Sequence, residues 1–319
     1  MLRLFTENRI LSVFLLPIFI IVHTILNGYF SFFEVTNNID LGLFGNHTLN
    51  SILPKQIIGG ILIFINSLGI NYIFNHNNLF EKNTYLPSCI YIVWMSFFEG
   101  MYNPDGFIIS HTACIVLFYQ LFKLNQNEDG RRIVFNASFF AGIATCFHLP
   151  MVILLPFLFV MVWTIRPFVL RESLLIIAGF LTPLIYAGAY ILIQKEHFIS
   201  LNWKLENDYY LFNQLNLLLI TLVGLFYVVI SVFGIRSKLQ KSSIRFRKLV
   251  RILWLFFFLF ICIGVVDFII TEQLKYFSLI FIILSFFSFF AFIKKPLSTL
   301  TNGLFILLII GSFLKFFLP

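Results

Sequence analysis

The sequence predicts an all-α membrane protein, a polytopic bundle of about eleven transmembrane helices. Of its 319 residues, 60% are hydrophobic and only 11% are charged, and the mean hydropathy is +0.94. A soluble domain carries roughly 25% charged residues, so this chain has too little polar material to cover a water-facing surface. The composition argues against most soluble enzymes, and we expect no nucleic-acid partner.

Apolar runs that suit a membrane-crossing helix of about 20 residues recur along the whole chain. The clear ones are Ile10–Phe30, Lys55–Phe74, Tyr85–Met101, Phe107–Phe122, Leu174–Ile193, Leu211–Ile235, Ile252–Ile270, Tyr276–Ile293 and Ser298–Phe317. One further region, Ile133–Trp163, is apolar throughout but is broken near its middle by His148-Leu149-Pro150. It is either one long kinked helix or a hairpin of two short helices.

The basic residues favour the hairpin. With a hairpin and a cytoplasmic N-terminus, 17 of the 22 Lys and Arg fall on the cytoplasmic side, and the exceptions are Lys55, Lys195, Lys204, Lys275 and Lys315. With a single span, the split is 10 inside and 12 outside. Because cytoplasmic loops carry an excess of Lys and Arg, we predict eleven spans, with the N-terminus inside and the C-terminus outside.

The hairpin, residues 133–165, is too short to cross the whole bilayer. Each helix has about 15 residues and rises only about 22 Å, against a core of about 30 Å. The two helices either pack as an ordinary part of the bundle, or their corner at His148 forms the floor of a cavity open to the outside.

In this topology, nine of the 14 acidic residues lie at or near the outer face. The first external loop, 31–54, alternates polar and apolar residues, suits short interfacial helices and carries Glu34 and Asp40. A tight turn at Tyr102–Gly106 carries Asp105, with Glu99 before it and His111 after it. We predict one outward-facing pocket in which carboxylates bind a divalent cation or act as a general base, lined by Glu34, Asp40, Glu99, Asp105, His111 and His148.

This layout resembles the N-terminal module of GT-C glycosyltransferases, the polytopic enzymes that use polyprenyl-phosphate-linked sugar donors. The shared features are a first span, an external acidic loop, an acid-bearing turn between spans three and four, and a short hairpin. The resemblance divides the chain into a GT-C-like module, 1–195, and a C-terminal helical module, 196–319, within one bundle. It implies Glu34 or Asp40 as the catalytic carboxylate, Asp105 as the second acid, and a polyprenyl-phosphate ligand.

The sequence also departs from that family. The adjacent acidic pair common in its first loop is absent, since Glu34 and Asp40 are six residues apart, and the chain has no sizeable external C-terminal domain. No Arg lies on the predicted outer side to bind phosphate, because only lysines are available there.

A basic segment marks the predicted cytoplasmic side. It contains no acid and seven basic residues: Arg236, Lys238, Lys241, Arg245, Arg247, Lys248 and Arg251. Such a segment is explained by membrane topology and by contact with anionic lipids. Each basic residue near the lipid surface contributes about 1 kcal/mol to that contact. A protein partner at loop 236–251 is an alternative.

Two functions stay open from the residues alone. The first is a sugar transferase on the outer face of a bacterial inner membrane. The second is a non-catalytic subunit of a larger translocation, secretion or envelope-assembly complex, which would bind partners through its lateral surfaces or through loop 236–251. The two differ in whether the acidic residues are needed for function.

Overall fold

The computed structural model describes residues 5, 10–49, 51–80, 82–124, 130–194, 214–240, 242–271, 274–291 and 298–317. In this part of the chain eleven α-helices form the bundle. They are α1 (Ile10–Phe30), α2 (Ile52–His76), α3 (Leu86–Met95), α4 (Gly106–Leu124), α5 (Arg131–Phe147), α6 (Leu154–Ile165), α7 (Leu170–Gln194), α8 (Gln214–Gln240), α9 (Ile244–Thr271), α10 (Ile280–Ala291) and α11 (Ser298–Leu314). Four 3₁₀ helices lie at Gly42–Phe44, Glu99–Met101, Leu149–Ile153 and Leu274–Leu279.

Six of the described helices are long and apolar enough to cross a membrane, which corrects the prediction of eleven spans. The six segments are Leu11–Phe30, Ile52–His76, Gly106–Leu124, Leu170–Ile193, Val223–Gln240 and Ile244–Ile270. The other five helices have 10 to 17 residues. At 1.5 Å per residue, even 17 residues rise only about 26 Å, which is less than the core of about 30 Å.

The chain does form a hairpin at the His148 corner. Helix α5 ends at Phe147, His148 is extended, and a 3₁₀ turn leads into α6. After α6, the guanidinium of Arg166 lies against Gly130, directly before the start of α5. The chain has therefore returned to the level at which α5 began. Along its length, α5 packs mainly against α4 and α7.

Close packing of α5 on α7 depends on small residues. Ala137, Ala141 and Thr145 are buried on α5, and a side chain on Gly142 of α5 would collide with the carbonyl oxygen of Phe180 in α7. A side chain on Gly179 of α7 would collide with the Ser138 hydroxyl and the Phe135 carbonyl. Small residues at such a contact let helix backbones approach closely.

The loop after α1, which the sequence predicted to form short interfacial helices, contains a β-hairpin instead. Strand β1 (Asn38–Asp40) pairs antiparallel with β2 (Asn46–Thr48), with Asp40 opposite Asn46. Gly42 and Gly45 have positive φ angles of 63° and 81° and allow the chain to reverse between the strands. We call the end of the bundle that carries this loop and the Tyr102–Gly106 turn the acidic end, and the opposite end, where α8 meets α9, the basic end.

Candidate functional site

At the acidic end, Lys55 fastens the first loop to the bundle. It lies in the first turn of α2 and is 1% exposed. Its Nζ donates hydrogen bonds to the carbonyl oxygens of Thr36 at 3.0 Å and Asn38 at 2.6 Å, and also to Oδ1 of Asn103. One buried amine thus joins the strand that carries Asp40 to the turn that carries Asp105.

The Tyr102–Gly106 turn uses its polar side chains to hold its own shape. Asn103 Nδ2 donates to Glu99 Oε1 at 2.9 Å, and the backbone N–H of Phe107 donates to Asp105 Oδ1 at 3.1 Å. The second contact satisfies a free N–H at the start of α4, which is a common role for Asp. Pro104 packs against Gly59 of α2.

Asp105 also forms an ion pair with Lys275 across the bundle. Lys275 Nζ lies 3.1 Å from Asp105 Oδ2, and the two side chains are 21% and 14% exposed. Burial alone would lower the pKa of Lys275, but the negative charges around it, Asp105 first, outweigh this effect and raise the pKa above its ordinary value. Lys275 is therefore charged at neutral pH and partly accessible.

A second polar pair lies at the hairpin corner. His148 Nε2 lies 2.8 Å from Oδ2 of Asp267, a fully buried residue near the end of α9. The His148 ring stacks on Tyr276 with ring centroids 4.6 Å apart, and Phe107 meets both rings edge-on. The corner is thus joined to the segment that carries Lys275.

Asp40 and Glu34, the two acids of the loop after α1, differ in their position relative to the start of α4. The backbone oxygen of Asp40 lies against Gly106, and its exposed side chain accepts a hydrogen bond from the Gly42 N–H at 2.9 Å. Glu34 is exposed and follows Phe33, which stacks on Tyr102 and is held by the side chain of Asn27. The structure brings Asp40, rather than Glu34, next to the first residue of α4.

His111 lies inside the bundle, below the polar residues of the acidic end. It is 0% exposed, with Nδ1 3.2 Å from the Tyr91 hydroxyl and Nε2 3.4 Å from the Ser278 hydroxyl. Both ring nitrogens have partners within the bundle, as expected for a structural histidine. In the described residues no group of three or more His, Cys, Asp and Glu is arranged to hold a metal ion.

Sequence reasoning did not single out Lys55, Lys275 or Asp267 as site residues. The signal for Asp267 was present, because an ionisable residue in an apolar helix needs a partner, as Glu99 does. No sequence pattern indicates that Lys275 lies opposite Asp105, 170 residues away.

A third amine at the acidic end belongs to Lys315, which is buried directly after α11. Its Nζ donates to the carbonyl oxygen of Ser96 and, at 2.7 Å, to the Tyr102 hydroxyl. The nearest aromatic rings lie 4.6 to 5.9 Å away and belong to Phe32, Phe33, Phe97, Tyr102 and Phe316. This contact fixes the end of α11 beside the Tyr102–Gly106 turn.

The basic residues of segment 236–251 divide into two groups. Lys238 donates to the carbonyl oxygen of Leu79, and Lys248 donates to that of Ile165 at 2.7 Å, so both connect their helix to another segment of the chain. Arg236, Arg247 and Arg251 line an open groove between α8 and α9. Arg245 is exposed on α9, and Lys241 lies outside the described residues.

The six long apolar helices have the pattern of a multi-pass membrane protein. No protein-family model, curated protein or solved structure matches the chain. The resemblance to GT-C enzymes therefore depends on the layout of the helices and loops alone.

Proposed function

We propose that the acidic end is a lipid-phosphate-dependent transferase site of GT-C type, with Asp40 as the carboxylate that activates an acceptor hydroxyl. The observation that carries this proposal is the placement of Asp40. Its carboxylate is exposed on a loop that Lys55 fixes to the Asn103 side chain, and its backbone packs on Gly106. A carboxylate held in place in this way is suited to act as a general base.

Lys275 is the residue proposed to receive the donor phosphate. Lys55 is fully buried and already donates three hydrogen bonds, whereas Lys275 is partly exposed and retains donor capacity beyond Asp105. Asp105 then has a supporting role, because it orients Lys275 and begins α4. A divalent cation at Asp40 is compatible with an exposed carboxylate, but the proposal does not depend on one.

The proposal is tested by substituting Asp40 with Asn in a deletion strain. Asn keeps an oxygen that accepts the Gly42 N–H bond, so the loop retains its shape while the negative charge is lost. We expect the Asp40→Asn strain to show the deletion phenotype at normal protein abundance. Asn37→Ala, an exposed change on the same loop, is the matched control and is expected to complement fully.

Binding of the donor is tested separately with farnesyl phosphate and the purified chain. We expect farnesyl phosphate to raise the unfolding temperature and farnesol to have no such effect. Lys275→Gln is expected to remove the difference between the two compounds. An equal response to both compounds in the unsubstituted protein would contradict phosphate recognition.

A second function, a non-catalytic subunit of a larger membrane complex, is supported by a different observation. Glu99, Asp105 and Lys55 are all hydrogen-bonded within the loops, so these polar residues already have a structural role. If Asp40→Asn and Lys275→Gln both complement the deletion at normal abundance, this second function is favoured. It predicts a stoichiometric partner after purification in mild detergent.

A further inference from the structure

The basic end contains a groove that the proposed function does not use. It lies where α8 ends and α9 begins and has a volume of about 560 Å³. Its lining combines positive charge with apolar surface: Arg236, Arg247, Arg251, Leu239, Val250 and Trp254.

The three arginines of this groove do not hold the fold together. Arg236, Arg247 and Arg251 are exposed, and within the described part of the chain none of their side chains forms a hydrogen bond or an ion pair. The neighbouring Lys238 and Lys248, in contrast, donate to backbone carbonyls of other segments. The guanidinium groups are therefore free to bind an anion.

In a membrane that α9 crosses, helix length puts the groove at the depth of the lipid headgroups. Helix α9 has 28 residues, and about 20 are enough to cross the hydrocarbon core. Counting back from its end at Thr271, the core boundary falls near Ile252. Arg247 and Arg251 then stand in the headgroup region, and Trp254 lies at the interface, where Trp is enriched.

Below the arginines, the same helix faces continue as exposed apolar surface. On α9, Arg247, Arg251, Trp254 and Phe258 follow helical spacing, and Phe258 is 56% exposed. On α8, Val229 and Phe233 precede Arg236 at the same spacing and are 54% and 57% exposed. The two stripes form a surface that is charged at the headgroup level and apolar along the acyl chains.

We propose that this groove binds the headgroup of an anionic phospholipid, with the acyl chains lying along the apolar stripes of α8 and α9. Arginine suits this role because its planar guanidinium donates two parallel hydrogen bonds to a phosphate. A free phosphate would use only the upper part of the site. The apolar continuation toward Phe258 and Val229 is what favours a lipid.

The test uses the purified full chain in detergent and measures binding of dioctanoyl phosphatidylglycerol, with dioctanoyl phosphatidylcholine and glycerol phosphate as comparison ligands. We expect phosphatidylglycerol to bind most tightly. Arg247→Gln and Arg251→Gln are each expected to weaken its binding about fivefold. Arg132→Gln, which removes an exposed charge from α5 outside the groove, is the matched control and is expected to bind like the unsubstituted protein.

Two results would overturn the proposal. If Arg247→Gln and Arg251→Gln bind phosphatidylglycerol as tightly as the unsubstituted protein, the groove does not recognise the headgroup. If glycerol phosphate binds as tightly as phosphatidylglycerol, the site recognises an anion without its lipid. Thermal unfolding of each variant shows that it is folded, and neither result bears on the acidic end.

Discussion

At the scale of single residues, the acidic end is organised by three amines, Lys55, Lys275 and Lys315. Lys55 bonds two loop carbonyls and Asn103, Lys275 pairs with Asp105, and Lys315 bonds Ser96 and Tyr102. Each amine joins segments that are distant in the sequence. The segments that carry Asp40 and Asp105 are therefore held in place by these lysines as well as by the helices next to them.

We expect the Asp105–Lys275 pair to be energetically coupled. Asp105→Ala leaves a largely buried ammonium without its counter-ion, which costs about 2 kcal/mol in the free energy of unfolding. Lys275→Met leaves Asp105 without its cation and costs a similar amount. The double variant is expected to lose less than the sum of the two, as measured by denaturant unfolding in detergent. Additive losses would show that the two side chains do not interact.

At the scale of secondary structure, the β-hairpin of the first loop is positioned by Gly42. Its φ of 63° is left-handed, and a Cβ there would lie 2.5 Å from the carbonyl oxygen of Phe147 at the end of α5. Phe44 then contacts Phe147 and Tyr190, with ring centroids 5.3 and 5.6 Å apart. The strand carrying Asp40 is thus attached to the corner of the helical hairpin.

Gly42→Ala is expected to displace this loop. Both the backbone angle and the collision with Phe147 oppose a side chain, so the variant should unfold at a lower temperature and expose the loop to protease. Gly28→Ala is the matched control, since nothing lies within 4 Å of a Cβ there and Ala is the better helix former by about 1 kcal/mol. Equal stability of the two variants would contradict the described docking of the loop.

The sequence was sufficient to locate these helices but not to predict their lengths. Apolar runs located the eleven helices α1 to α11, and His148-Leu149-Pro150 marked the corner at which the chain turns back. Apolar composition does not show where a helix ends, however. The run Tyr85–Met101 contains only ten helical residues, because the chain turns at Ser96 and enters a 3₁₀ segment at Glu99.

The candidate site could be predicted in part. An acid in an apolar environment drew attention to Glu99, and the turn sequence drew attention to Asp105. The partners of Asp105 and His148, which are Lys275 and Asp267, depend on how α9 and the segment after it pack against α4 and α5. Such contacts between distant segments leave no local pattern in a single sequence.

At the scale of the whole molecule, the outer surface of the bundle is apolar and its two ends are chemically different. On α1, the exposed residues Leu11, Phe14, Ile18, Ile21 and Ile25 form one stripe at helical spacing. Such a stripe suits contact with lipid. The acidic end carries the loop with Asp40, and the basic end carries the arginine groove, separated by the length of α9, about 42 Å.

The most direct test of this arrangement is the accessibility of single cysteines in spheroplasts of a bacterium that produces the protein. Asn46→Cys places a thiol at the acidic end and Ser243→Cys places one at the basic end, each in a chain whose exposed Cys262 is replaced by Ser. We expect a membrane-impermeant maleimide to label Asn46→Cys in intact spheroplasts and Ser243→Cys only after the membrane is disrupted. Labelling of both cysteines from one side, or the reverse pattern, would contradict an acidic site on the outer face and a basic groove on the inner one.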